Sequence, residues 1–87
     1  MMDFGDAIRA LKEGKRVARA GWNGKGMFIF LVAGSQFTTN REPLLSILGE
    51  GTRVTYRPHI DICQPDGSIG TWAPSNGDTL AEDWNLV

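Results

Sequence analysis

The spacing of apolar positions divides the chain into one amphipathic helix followed by a series of short strands. Phe4, Ala7, Ile8 and Leu11 recur at i, i+3, i+4 and i+7, the stripe of a helix that lays one face on a core. Asp3 stands where a side-chain cap is needed, Asp6 follows three residues later, and Gly14 marks the stop. Lys12, Lys15 and Arg16 fall in the last turn and the exit, where cations suit the negative end of the helix dipole. After Val17 and Ala18 comes Gly21-Trp22-Asn23-Gly24-Lys25-Gly26, a glycine-rich loop, and then the continuous apolar run Met27-Phe28-Ile29-Phe30-Leu31-Val32. A run apolar on both faces predicts a strand in the middle of a sheet, with the helix covering one face and a second layer, such as a partner subunit, covering the other.

Downstream, residues 36–39 predict a short strand and residues 43–48 a short helix or turn before Gly49 and Gly51. Residues 52–57 alternate, with Val54 and Tyr56 on one face and Arg53, Thr55 and Arg57 on the other, which predicts a half-buried strand with a basic outer face. Beyond Pro58, two strand-like segments flank Gln64-Pro65-Asp66-Gly67, whose Asp-Gly pair signals a hairpin. Ser75-Asn76-Gly77-Asp78 caps a helical turn over residues 79–82, and the chain ends as a strand or extended tail. The reading is α+β: residues 1–87 as a small single domain, its N-terminal helix packed on a mainly antiparallel β-sheet.

Size sharpens this picture. At 9.5 kDa a folded surface of about 5,000 Å² stands against roughly 14,000 Å² for the extended chain, so hydrophobic gain only narrowly exceeds the cost of ordering and self-association would help. No apolar run approaches the roughly 20 residues a membrane span needs, and the lone Cys63 suits a reducing cytoplasm. A net charge of -1 argues against a partner as long and anionic as nucleic acid but allows a small anionic ligand. The charges are segregated: all nine Lys and Arg lie between Arg9 and Arg57, whereas five acids and no base follow Pro58. The two halves attract, either inside one subunit or across two.

Enzymatic constellations are thin. His59 and Asp61 share a strand face and offer an acid/base pair or two ligands of a metal, but no third ligand or nucleophile accompanies them, and no metal site or cofactor is expected. The three tryptophans are more informative. An indole is a rigid plane on which a nucleobase stacks for about 1–3 kcal/mol, and it serves equally well as a core anchor. Trp84 reads as core; Trp22 and Trp72 are the candidate platform. Asn23, Lys25 and Asp83 lie close to them in sequence, Asn76 and Asp78 close to Trp72, and Arg53 and Arg57 add cations suited to a diphosphate.

Gly21-Trp22-Asn23-Gly24-Lys25-Gly26-Met27, Pro58-His59-Ile60-Asp61 and Leu80-Ala81-Glu82-Asp83-Trp84, in this order and spacing, resemble the second Thoeris anti-defence family of phages and prophages. The resemblance implies a small cytoplasmic protein without catalytic activity that sequesters cyclic nucleotide signals of bacterial immunity. Its ligand would be glycocyclic ADP-ribose made by Thoeris TIR enzymes, with cyclic dinucleotides or trinucleotides of CBASS systems bound by some members at separate sites. It also implies a homotetramer with pockets between subunits. In that reading Trp22 and Trp72 pack against base or ribose, Asn23 and Asp83 supply polar recognition, and Lys25, Arg53 and Arg57 meet phosphates, the two arginines resting on strand alternation alone. Two rivals stand beside it: a nucleotide-cleaving enzyme using His59 and Asp61, and a structural or adaptor protein whose exposed aromatics contact another protein.

Overall fold

The computed structural model describes the whole chain, Met1–Val87. In order, the elements are α1 (Phe4–Lys12), β1 (Val17–Arg19), β2 (Phe28–Val32), β3 (Ser35–Thr38), α2 (Leu44–Leu48), β4 (Arg53–Tyr56), β5 (His59–Cys63), β6 (Ile69–Thr71), α3 (Asn76–Leu80) and β7 (Trp84–Leu86). They form an α+β fold in which every strand pairing is antiparallel. Asp3 caps α1 as its position predicts: its carboxylate accepts the Asp6 N–H at 2.8 Å, while the Asp6 carboxylate accepts the Asp3 N–H at 3.0 Å.

A five-stranded sheet runs β6-β5-β2-β1-β7, so the apolar run of β2 takes the central place predicted for it. Register follows the pleat: Ile29 stands opposite both Val17 and Ile62, and these three side chains point to the same face as Leu11, Ala7 and Ala10 of α1. Each fully buried Leu, Ile or Val contributes about 1.5–3 kcal/mol, and together with Trp84 they make the core. Two segments depart from the sequence reading. Residues 17–19, too short to show alternation, are a strand because β2 and β7 flank them and satisfy their backbone groups. Helix α3 starts at Asn76 rather than after Asp78, because Ser75 is the cap and Asp78 closes a capping box as its third residue.

The second face of the sheet is not covered. Phe28, Phe30 and Val32 of β2, with Cys63 and Ile69 in register beside Phe28, carry no helix, since α1 lies on the other side and α2 is elsewhere. Ile69 is 55% exposed there, and the Arg16 guanidinium lies 4.9 Å from the Phe28 ring centre. The cover expected on this face is therefore absent from the single chain.

Residues 33–58 leave the sheet at the Val32 and His59 ends of the paired strands and form an arm of their own, the β3-β4 ribbon with α2 at its tip. Phe37 packs edge-on against Tyr56, ring centres 5.2 Å apart. Thr39 ties the tip: its hydroxyl donates to the Gly49 carbonyl and accepts the Thr52 N–H at 2.9 Å. The arm explains the molecule's proportions. The radius of gyration is 15.9 Å, against about 12 Å for a compact chain of this length, and the accessible surface is 6011 Å² against the roughly 5,000 Å² set by mass.

Candidate functional site

All three tryptophans converge on the helix-covered face of the sheet. Trp84 is the anchor: it is 1% exposed, and its indole N–H donates to the Asp78 carbonyl at 3.0 Å. Phe4, Trp22 and Trp72 lean on it with ring centres 5.7, 5.4 and 6.1 Å away. Trp22 and Trp72 are themselves edge to face at 6.4 Å and only half-buried, so part of each indole faces solvent. Trp84 is core, as its strand neighbours predict, while Trp22 and Trp72 are partly buried against it.

One cation organises the polar side of this cluster. Arg19, at the end of β1, donates from Nη1 to Asp78 Oδ1 and from Nε to Asp83 Oδ1, each at 2.9 Å. The other Asp83 oxygen accepts the Gly21 N–H at 2.9 Å, and Asp78 Oδ1 also accepts the Trp22 indole N–H at 3.4 Å. Asp83 and then Asp78 raise the basicity of Arg19, and Arg19 in turn holds the Asp83 carboxyl below the usual carboxylate range. For Asp78, burial is the largest influence and pushes its pKa up; the Ser75 N–H, Arg19, the Ser75 hydroxyl and Trp22 together outweigh it, and the net direction is down. These bonds join the basic half of the sequence to the acidic half within one subunit.

The predicted site residues therefore fall into separate groups. Trp22 and Trp72 are brought together, and Asp83 is adjacent through Arg19, but both Asp83 oxygens already accept internal hydrogen bonds. Asn23 and Lys25 are exposed in the loop that enters β2 at Phe28, where Gly24 packs so closely on Pro65 that a Cβ there would lie 2.5 Å from its ring. Arg53 and Arg57 belong to the arm, beyond the other end of β2, a strand that by itself spans about 13 Å. Arg53 donates to the Gln36 side chain at 3.2 Å. One chain does not gather Lys25 and the two arginines round one ligand.

Nor does one chain hollow a cleft at the tryptophans. The largest cleft, about 440 Å³, is on the arm between Phe37, Arg41, Pro43 and Tyr56, and none of the others is lined by Trp22 or Trp72. His59 and Asp61 do share a face, as their spacing predicts, with Nε2 and Oδ1 3.4 Å apart on the open side of the sheet, away from the indoles. No three His, Cys, Asp or Glu side chains gather to hold a metal ion. No helix is long and apolar enough to cross a membrane.

With this geometry in view, comparison with known proteins is decisive for the family. The Tad2-like family, described as the Thoeris anti-defense 2-like domain, matches residues 2–87. The chain belongs to the Thoeris anti-defense 2-like family. It is also 40% identical over 91 residues to Thoeris anti-defense 2 of Bacillus phage SP01, an alignment covering 99% of this chain and 94% of that protein. The family match takes in the Trp22 loop, the arm and the Trp84 strand together, so the resemblance seen in three short blocks extends over the whole fold. Membership assigns an anti-defence role against Thoeris at the level of the family.

Sequence reasoning passed over Arg19. Flanked by alanines in a stretch with no periodicity, it looks like any solvated base. The available signal was the segregation of charge, which required some base of the first half to meet the acids of the second. Asp78 stood only among the polar neighbours of Trp72, and its buried carboxylate proves to be shared by Arg19, Trp22 and the Ser75 cap.

Proposed function

We propose that this protein is a sponge: it binds an immune signalling nucleotide, holds it uncleaved and so withholds it from the effector that the signal would activate. Glycocyclic ADP-ribose is the primary ligand, and CBASS cyclic dinucleotides or trinucleotides are candidates for further sites. The observation that carries this reading is the half-buried pair Trp22 and Trp72, fixed edge to face on the buried Trp84. Stacking contributes about 1–3 kcal/mol per base, and a platform already fixed by packing adds little ordering cost on binding. A sponge turns nothing over and must outcompete a receptor, which asks for nanomolar affinity, about -12 kcal/mol. Two indoles, the Asn23 and Lys25 loop, and cations for the diphosphate reach that range.

The pocket belongs to an assembly, a homotetramer in this reading. Two features support this: the indoles border no cleft within one chain, and the arm cations lie beyond the opposite end of β2 from Lys25. A second copy brings an arm to a tryptophan platform, and the uncovered Phe28, Phe30 and Ile69 face supplies apolar surface for contact.

Calorimetric titration with glycocyclic ADP-ribose, followed by heat release and mass analysis, tests the proposal. Tight binding with intact ligand recovered is expected, with capacity lost in Trp22→Ala and Trp72→Ala and retained in His59→Ala. Recovery of a linear ADP-ribose product would replace the sponge with an enzyme at His59 and Asp61. A light-scattering mass near the 9.5 kDa of one chain at micromolar concentration would remove the shared pocket.

A further inference from the structure

We propose that Arg19 is the positioning residue of the ligand platform, acting through Asp78 and Asp83 rather than by touching ligand; this rests on the sponge reading. Its guanidinium bridges two carboxylates from different segments, the α3 helix and the turn before β7, and each carboxylate then reaches back to the Trp22 loop. The Asp83 carboxylate accepts the Gly21 backbone N–H near the start of the loop, and Asp78 accepts the Trp22 indole N–H. At its root the loop between β1 and β2 is also held by main-chain bonds, Ala20 N–H to the Asp83 carbonyl at 3.0 Å and Trp22 N–H to the Arg19 carbonyl at 3.3 Å, so the Arg19 bridge sets the side-chain part of that anchorage. The fit there is close: a Cβ at Gly21 would lie 3.0 Å from Asp83 Oδ2 and 3.7 Å from Arg19 Nη2.

Only a planar fork with donors at fixed angles bridges the two acids in this way. A lysine in the same place keeps the charge but offers one nitrogen, and cannot reproduce the Nε and Nη1 bonds together. When the bridge is lost, the core of Leu11, Val17, Ile29 and Ile62 remains, while the Trp22 loop samples several arrangements. Apparent affinity then falls by the fraction of time the loop spends in the competent one. Positioning therefore separates from folding.

The test compares parent, Arg19→Lys and, as a control for charge exchange at an exposed base, Arg9→Lys. Each is measured by thermal melting, near-ultraviolet circular dichroism of the indoles and titration with glycocyclic ADP-ribose. Arg19→Lys is expected to melt cooperatively, to lose when unliganded the part of the indole signal that the Trp22 contacts with Trp72 and Trp84 contribute, to regain it on saturation and to bind at least tenfold more weakly at unchanged stoichiometry. Arg9→Lys is expected to match the parent throughout. If Arg19→Lys binds within twofold of the parent, or binds weakly with an unchanged indole signal, Arg19 does not position the platform. If Arg19→Lys does not fold, the separation of positioning from folding is wrong. A parent that binds no ligand overturns the sponge reading itself, an outcome distinct from the other two.

Discussion

Replacing Trp84 by Phe tests whether this indole is the support of the cluster rather than a third platform. The change removes the N–H that pairs with the Asp78 carbonyl at 3.0 Å in a site only 1% exposed. An orphaned buried acceptor costs about 1–3 kcal/mol. The smaller ring also leaves a void, adding about 1 kcal/mol at 24 cal/mol per Å³ of unfilled space. The sum is about 2–4 kcal/mol, a large part of the roughly 4–13 kcal/mol available to a domain of this length. The corresponding fall in melting temperature is on the order of 10–25 °C. Trp72→Phe, at a half-buried ring whose N–H makes no internal hydrogen bond, is expected to cost no more than about 1 kcal/mol. Urea denaturation followed by far-ultraviolet circular dichroism gives both values under one set of conditions. A Trp84→Phe protein within about 0.5 kcal/mol of the parent, or a Trp72→Phe protein equally damaged, would refute the assignment of anchor and platform.

Acid should reveal the Arg19 bridge. The Asp83 carboxyl is held down by Arg19, and the net direction for Asp78 is also down, so their contribution is fully present above the unfolded carboxylate pKa of about 3.9 and is lost as pH falls through the lower folded values. Stability is therefore expected to be level near neutrality and to decline below about pH 4, with a shallower decline in Asp83→Asn; an identical acid profile in the variant would contradict the linkage. Gly34→Ala tests the independence of the arm. A Cβ there would lie 2.5 Å from the Tyr56 carbonyl oxygen and 3.1 Å from Pro58, so residues 33–58 must shift at a cost of about 1–3 kcal/mol. Amide spectra should change across the arm while Val17, Ile29 and Ile62 keep their shifts, and a change spread evenly over the five-stranded sheet would show the arm and body to be one unit.

The sequence by itself determined what local rules govern. The Asp3-capped helix, the central place of Met27 to Val32, the Asp66-Gly67 hairpin and the distinction between Trp84 and the other two indoles all follow from spacing, capping chemistry and turn geometry. Tertiary structure decided what depends on residues far apart in the chain. Residues 17–19 are a strand only because strands from positions 28 and 84 onward flank them. Arg19 matters only because folding brings acids 59 and 64 positions away to its guanidinium, and no local pattern announces such a bridge. Arg53 lies on β4 and Arg57 just past its end, yet that strand joins a separate ribbon and not the sheet beneath the tryptophans. Periodicity fixes which face of a strand a side chain takes; which sheet the strand joins is set by long-range pairing, because backbone hydrogen bonds to a distant partner leave no trace in local order.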